Sequence, residues 1–156
     1  MKLSVQDLVA RANRQITTLS LDDAAAVLNN PTYQFVDIRD VRELEREGKI
    51  PGAFHAPRGM LEFWVDPQSP YFKDVFNTDL PSTETKTYVF YCQSSWRSAL
   101  ATQAVQEMGL APVAHVDGGF HAWVKAGLPV TEHVRKRKPT ATATQHDTTQ
   151  HDTQNK

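Results

Sequence analysis

The feature that most constrains the fold is a continuous stretch, residues 87–110, in which an apolar run leads through a short loop into a helical pattern. Residues 88–91 are aromatic or β-branched and polar residues bound them, which is typical of a buried strand. Residues 98–108 carry apolar side chains at helical spacing and stop at a glycine. The loop contains Cys92, the only cysteine of the chain, and then Arg97, with four residues between them. The stretch therefore predicts a strand–loop–helix unit with the cysteine at the end of the strand.

This arrangement favours a reactive cysteine. Amide N–H groups that converge in a loop before a helix, together with the partial positive charge of the helix N-terminus, stabilise a thiolate or a bound oxyanion. A free cysteine has a pKa of about 8.5, and a decrease of about 1.5 units would leave it about half ionised at neutral pH. Arg97 could bind an anion there or brace the loop. The alternative is that Cys92 is simply a small buried apolar residue.

The rest of the chain alternates between helix-like and strand-like segments. Ser4, Ser20 and Asp40 each precede a helical pattern and have an acidic residue three positions on, which indicates a helix N-terminus. Strand-like runs occupy residues 16–19, 34–37, 53–56, 88–91 and 113–116. Alternating elements of this kind predict an α/β fold with a parallel sheet and helices on both faces.

Composition narrows the class of protein. The formal net charge of −1 gives no support for a nucleic-acid partner. A single cysteine excludes an intramolecular disulfide, which fits a reducing compartment. The N-terminus lacks an apolar targeting segment and no run is long enough to cross a bilayer, so we expect a cytoplasmic protein without membrane contact. No His/Cys set has the spacing of a structural metal site, and we expect no metal and no cofactor.

The last part of the chain, residues 133–156, differs in character. A basic run is followed by Thr, Gln, His, Asp and Ala, in which the segment 144–148 recurs as 149–153. Such a segment buries too little apolar surface to order itself, and we expect a disordered tail. Contact of the basic run with nucleic acid or anionic lipid, and weak metal binding by the His-Asp pairs, are less favoured alternatives.

The loop resembles the active-site loop of the rhodanese family of sulfurtransferases, whose usual form is Cys-x-x-Gly-x-Arg-Ser. Cys92, Arg97 and Ser98 match this form, and Ser95 stands where many members carry glycine. Further family-like motifs follow the same order along the chain, at residues 36–40 with Glu43, 48–55 and 117–123. The resemblance covers about residues 20–132, which would form one rhodanese-like domain, with residues 1–19 as an N-terminal helical extension. It implies a five-stranded parallel sheet.

The resemblance also implies a reaction. The Cys92 thiolate would take the outer sulfur of a donor such as thiosulfate, and cyanide or a thiol would remove it from the resulting persulfide. With no second cysteine, the acceptor must come from outside the chain. The residues expected to contact the substrate are Gln93, Ser94, Ser95, Trp96, Arg97 and Arg58. The residues expected to support the site are Asp37, Arg39, Ser98, Gly118 and Gly119.

Two other functions stay open from the residues. Cysteine phosphatases and some arsenate reductases use a related loop, but typically with five residues between Cys and Arg, and the smaller ring here suits sulfur better than phosphate. A persulfide carrier or regulatory module that serves one protein partner is the other alternative. The oligomeric state is not predicted.

Residues 60–86 read as an insertion rich in aromatic side chains. These side chains could cover one rim of the pocket, but we favour a satellite core beneath a long loop. They are Phe63, Trp64, Tyr71, Phe72 and Phe76.

Overall fold

The computed structural model describes residues 1–79, 81 and 85–135 of the chain. These residues form one five-stranded sheet and six α-helices. In chain order the elements are α1 (Val5–Gln15), β1 (Thr17–Leu19), α2 (Leu21–Ala26), β2 (Tyr33–Asp37), α3 (Val41–Glu47), β3 (Phe54–His55), α4 (Leu61–Val65), β4 (Thr87–Tyr91), α5 (Trp96–Glu107), β5 (Val113–Val116) and α6 (Gly119–Lys125). Two single 3₁₀ turns, Arg58–Met60 and Asp74–Phe76, flank α4.

The sheet is parallel throughout, as predicted. The strand order is β1-β5-β4-β2-β3, so β4 lies in the middle between β5 and β2. Parallel strands end at the same edge, and in α/β sheets that edge is where sites form. The residues that follow β2, β4 and β5 are therefore brought together there.

The central strand β4 shows how the two faces of the sheet are built. Its side chains alternate, so that Tyr88 and Phe90 pack with Ala101 and Val105 of α5 on one face. Val89 and Tyr91 pack with the α6 side of the molecule on the other face. Because both faces are covered, the strand is an unbroken apolar run, which is the pattern the sequence shows.

The helix starts follow the predicted capping residues. The Ser4 and Asp40 side chains each accept a backbone N–H of the first turn, and the acidic residue three positions on completes a capping box. The Ser20 hydroxyl oxygen accepts the N–H of Asp23. These caps satisfy N–H groups that have no partner inside the helix.

The N-terminal end of the chain is joined to the domain by a helix and a strand. Val9 and Ala12 of α1 pack on Ala99 of α5, and β1 pairs with β5. Residues 17–19 thus complete the sheet, although the sequence analysis places them in the N-terminal extension. Of the predicted tail, residues 136–156 lie outside the described residues.

The aromatic side chains of the insertion divide into two sets. Phe76 is buried in the core beneath α5, and Trp64 and Phe72 pack against the same cluster, so these side chains extend the main core and do not form the separate satellite core that the sequence analysis favours. Phe63 and Tyr71 are exposed and contact each other edge to face.

Within the described residues, no helix combines the length and apolar character needed to cross a lipid bilayer.

Candidate active site

The cysteine lies where β4 ends and α5 is about to begin. The Ser98 backbone N–H donates to the Cys92 sulfur across 3.3 Å, so the thiol points at the first turn of the helix. Cys92 is 1 % exposed and belongs to the core cluster beneath α5. The thiol therefore combines a position at a helix N-terminus with almost complete burial. In the described part of the chain, Ser98 gives the one amide hydrogen bond to this sulfur.

Ser95 has an unusual backbone conformation. It is the single non-glycine residue of the described chain in the left-handed region, with φ 73° and ψ −6°. A side chain in that region costs about 1–2 kcal/mol, and the family's glycine would avoid this cost. The Ser95 carbonyl compensates by accepting two hydrogen bonds, from the Ala99 N–H at 3.0 Å and the Ser98 hydroxyl at 3.2 Å.

Gly119 lets α6 approach the loop closely. The Phe120 N–H donates to the Cys92 carbonyl at 2.8 Å, and the His121 N–H donates to the Gln93 carbonyl at 3.0 Å. A Cβ at Gly119 would lie 2.6 Å from the Cys92 carbonyl oxygen, and both Gly118 and Gly119 have positive φ. A larger residue at 119 would therefore displace the loop backbone.

Arg97 is held by a carboxylate from a distant part of the sequence. Its two terminal nitrogens donate to the two oxygens of Glu43, each at 2.8 Å, and 42 % of the Arg97 side chain remains exposed. The Glu43 hydrogen bonds are the largest cause of a raised Arg97 pKa, and the negative charge of a Cys92 thiolate adds to it. The same bonds lower the pKa of Glu43. Arg97 thus braces the loop and also lies near the thiol.

Asp37 and Arg39 form a buried ion pair below the loop. The Asp37 carboxylate accepts the Arg39 backbone N–H at 3.0 Å and faces the guanidinium at 2.7 Å. Arg39 also donates to Glu47, to the Gly48 carbonyl and to the Gln93 side chain. Arg39 therefore ties the loop and the end of α3 to the end of β2.

The other predicted contact residues are less closely joined to the thiol. Ser94 on the loop and Trp96, the first residue of α5, are both exposed, with Trp96 at 45 %. The Arg58 N–H donates to the Ile38 carbonyl, and its guanidinium pairs with Glu62 of α4. Within residues 1–79, 81 and 85–135, no hydrogen bond links Arg58 to the cysteine loop.

A cleft of about 400 Å³ opens on the α6 side of the loop. It is bounded by Gln93 of the loop, Glu47 at the end of α3 and four α6 residues, which are Phe120, His121, Val124 and Lys125. In the described part of the chain, no group of three His, Cys, Asp or Glu side chains is placed to hold a metal ion.

A sequence model of the rhodanese-like domain matches residues 20–126, which is more than half of the chain. The chain belongs to the rhodanese-like domain family. The resemblance of the loop and the predicted five-stranded fold are thereby confirmed.

Three similar proteins illustrate the range within this family. An uncharacterised Synechocystis protein is 46 % identical over 132 residues, which cover 85 % of this chain and 61 % of that protein. Human thiosulfate:glutathione sulfurtransferase is 28 % identical over 108 residues, covering 69 % and 93 % of the two chains. A solved structure from Rhodopseudomonas palustris, of unknown function and described as a possible tyrosine phosphatase, superposes with a TM-score of 0.77 at 49 % identity. It covers 84 % of this chain and 96 % of that chain.

Two residues of this rhodanese-like site escaped the sequence analysis in their roles. Glu43 appears there as part of a motif, but its pairing with Arg97 depends on how β2 and β4 lie in the sheet. His115 is buried in β5 and hydrogen-bonded to Ser98. A polar residue inside the otherwise apolar run 113–116 was the available signal.

Proposed function

We propose that the protein is a sulfurtransferase that works through a persulfide on Cys92. The Cys92 thiolate attacks the outer sulfur of thiosulfate, the S–S bond of the donor breaks, and sulfite leaves with the electron pair. The acceptor, cyanide or a thiolate, then attacks the outer sulfur of the persulfide. Thiocyanate or a new persulfide leaves and the Cys92 thiolate is restored.

The observation that carries this proposal is the Ser98 N–H directed at the Cys92 sulfur, at the start of α5 and beside Arg97. A hydrogen bond to the charged form of a thiol favours that form, and so does the helix N-terminus. A thiolate is the form that attacks a second sulfur. The family membership and the name of the human relative support sulfur as the group transferred.

The loop residues have distinct proposed roles. The amides of residues 93–97 would surround the next atom outward, the outer sulfur of the persulfide, with the Ser94 and Ser95 hydroxyls as further donors. Arg97 retains N–H groups beyond those bound to Glu43, and these would hold the anionic end of the donor. Trp96 and Arg58 would border its path. Since Cys92 is 1 % exposed, we propose that side chains of the loop move when the donor enters.

The supporting residues fix this loop from below and behind. We propose this role for Asp37, Arg39, Ser98, Gly118 and Gly119, on the contacts described above. We also propose that residues 20–132 form the sulfurtransferase domain, to which residues 1–19 add α1 and the edge strand β1, and that the protein works in the cytoplasm on small sulfur donors and acceptors.

The test is mass spectrometry of the intact protein after incubation with thiosulfate. We expect a gain of one sulfur atom on wild type, its loss on adding cyanide, and formation of thiocyanate. Cys92→Ser should show none of these, and because the chain has no other cysteine, it is the matched control. Wild-type protein with a free thiol that gains no sulfur from thiosulfate would contradict the proposal.

Phosphate ester hydrolysis is the competing activity, because the Rhodopseudomonas structure is described as a possible tyrosine phosphatase. Four residues separate Cys92 and Arg97, whereas cysteine phosphatases typically have five. Two N–H groups of Arg97 donate to Glu43 and are therefore not available to a phosphate group. Hydrolysis of p-nitrophenyl phosphate at a rate comparable with sulfur transfer would reverse this preference.

A persulfide carrier that serves one protein partner is the second alternative. It would accept sulfur on Cys92 but release it only to that partner. Steady-state turnover with thiosulfate and cyanide favours the enzyme, whereas a persulfide that persists in cyanide favours the carrier.

A further inference from the structure

His115 lies at the centre of a buried hydrogen-bonded chain behind the cysteine loop. The residue is 1 % exposed in β5, on the sheet face that carries α5. Its Nε2 lies 3.0 Å from the Thr18 hydroxyl oxygen of β1, and its Nδ1 lies 3.0 Å from the Ser98 hydroxyl oxygen of α5. One imidazole therefore joins two strands and the helix that begins at the active site.

The Ser95 carbonyl fixes which group donates in each hydrogen bond of this chain, because a carbonyl can only accept. The Ser98 hydroxyl donates its proton to the Ser95 carbonyl, so its oxygen accepts from His115 Nδ1–H. Nε2 then carries no proton and accepts from the Thr18 hydroxyl. This uses one donor and one acceptor on the ring, which is the inventory of a neutral imidazole. Burial lowers the His115 pKa to about 4, which agrees with a neutral ring at neutral pH.

The chain ends at the two residues that define the geometry of the thiol. Ser98 is the residue whose backbone N–H donates to the Cys92 sulfur. Ser95 is the residue with the left-handed backbone, and its carbonyl accepts from both Ser98 and Ala99. A glycine would hold the left-handed conformation without strain. With serine there, a hydrogen bond that fixes the carbonyl offsets part of the cost.

We propose that His115 is a positioning residue for Cys92. Its Nδ1–H fixes the Ser98 hydroxyl, which fixes the Ser95 carbonyl, and together they keep the first turn of α5 and the Ser98 N–H directed at the sulfur. The inference deepens the proposed function, since it names a residue that prepares the thiol for sulfur transfer. The effect of His115 on the thiol can be measured in the absence of a sulfur donor.

A consequence can be measured on the thiol itself. When Nδ1–H is lost, the first turn of α5 loosens and the Ser98 N–H stabilises the thiolate less. The thiol pKa should then rise by about 0.5–1 unit. For a thiol that is about half ionised at neutral pH, the thiolate fraction, and with it the rate of sulfur loading, should then fall about twofold to fivefold.

Two substitutions of the same residue separate positioning from general support. In His115→Asn the side-chain amide nitrogen occupies the place of Nδ1 and can still donate to Ser98. In His115→Gln it occupies the place of Nε2, near Thr18, and leaves Ser98 without its donor. Thiolate ultraviolet absorbance is titrated against pH for each variant, and the titration of the same variant carrying Cys92→Ser is subtracted to remove the tyrosine signal.

The expected result is a raised thiol pKa in His115→Gln and a wild-type value in His115→Asn, at similar thermal unfolding midpoints. Equal thiol pKa values in the two variants would overturn the proposal, whether both are raised or both unchanged. Should His115→Gln fail to fold, Ser98→Ala serves instead, because it removes the hydroxyl and keeps the backbone N–H. It should raise the thiol pKa, and an unchanged value would overturn the proposal.

The two proposals fail in different ways. If wild type accepts no sulfur from thiosulfate but His115→Gln still raises the thiol pKa, the positioning role stands and the sulfurtransferase proposal fails. If wild type is loaded with sulfur but no variant alters the thiol pKa, the positioning role fails alone.

Discussion

Two arginines lie at this site, and their surroundings are opposite. Arg39 is fully buried, and its five N–H donors are all used, by Asp37, Glu47, the Gly48 carbonyl and Gln93. Its guanidinium also lies 4.1 Å from the centre of the Phe120 ring. Arg97 has a side chain that is 42 % exposed, and two of its N–H groups donate to Glu43.

The difference separates two uses of the same side chain. A guanidinium with every donor engaged has nothing to offer a ligand, so Arg39 can only fix the parts of the site relative to each other. A bidentate pair that leaves donors free can brace a loop and still receive an anion. The comparison therefore predicts that losing Arg39 damages the fold, whereas losing Arg97 damages the chemistry.

Arg39→Met should have the largest effect on stability. It leaves Asp37 buried without its counter-charge, and we expect a loss of about 3–5 kcal/mol in the free energy of unfolding, measured by chemical denaturation. Arg42→Met is the matched control, because Arg42 pairs with Asp40 at the surface and its loss should leave stability unchanged. Asp37→Leu combined with Arg39→Met should recover part of the loss. Equal stability of Arg39→Met and Arg42→Met would contradict this view of Arg39.

Lowering the pH changes the charge of His115 but not of Arg39 or Arg97, since both guanidinium groups stay charged. Burial lowers the His115 pKa from 6.5 to about 4, so the unfolded chain binds this proton more readily than the folded chain. The stabilisation is complete above about pH 6.5 and decreases as the pH falls towards 4, by up to about 3 kcal/mol. Denaturation at several pH values should show this slope in wild type and a flatter one in His115→Asn. Identical slopes would mean that His115 does not titrate in this way.

Arg97→Lys should leave the fold intact and weaken sulfur loading. Lysine keeps the charge but cannot form the two-pronged pair with Glu43 and point further donors at an anion. We expect the rate of persulfide formation from thiosulfate to fall about tenfold, or about 1.4 kcal/mol in the barrier, while the free energy of unfolding changes by less than about 1 kcal/mol. If Arg97→Lys forms the persulfide from thiosulfate at the wild-type rate, Arg97 is not one of the substrate contacts.

Glu43→Gln should have the smallest effect. The amide keeps one acceptor for Arg97 but loses the charge, and for a partly exposed pair we expect less than about 1 kcal/mol in stability. The lowered Glu43 pKa means that in wild type the pair holds above about pH 4.5 and weakens as the pH falls further. The acid limb of the stability curve below pH 4.5 should therefore be shallower in Glu43→Gln. A curve unchanged there would show that the pair contributes nothing measurable.

Much of the fold could be predicted because its signals are local. The capping residues Ser4, Ser20 and Asp40 and the apolar run 88–91 report on their own neighbourhoods, and the loop motif placed Cys92 at a strand end. What the sequence did not show depends on the topology. Arg97 pairs with Glu43 across the edge of the sheet, and His115 is hydrogen-bonded to Ser98 from β5, the strand that follows α5 in the sequence.

The missed features of the site share one cause. The sequence analysis leaves the burial of Cys92 open and does not show the pairing of Arg58 with Glu62. Both depend on how side chains are arranged in the folded structure, and periodicity carries no information about that arrangement. The left-handed Ser95 was signalled only by the family's glycine. At Cys92, Arg58 and Ser95 the proposed chemistry therefore depends on side-chain packing, which the sequence motif does not specify.

The position of β5 between β1 and β4 has a consequence for biosynthesis. The chain leaves the ribosome from its N-terminus, so β1 emerges long before the strand with which it pairs. The cysteine loop is likewise incomplete until His115, Gly119 and Phe120 have followed. The nascent protein thus carries its thiol without these histidine, helix and glycine contacts while the next 28 residues, up to Phe120, are added.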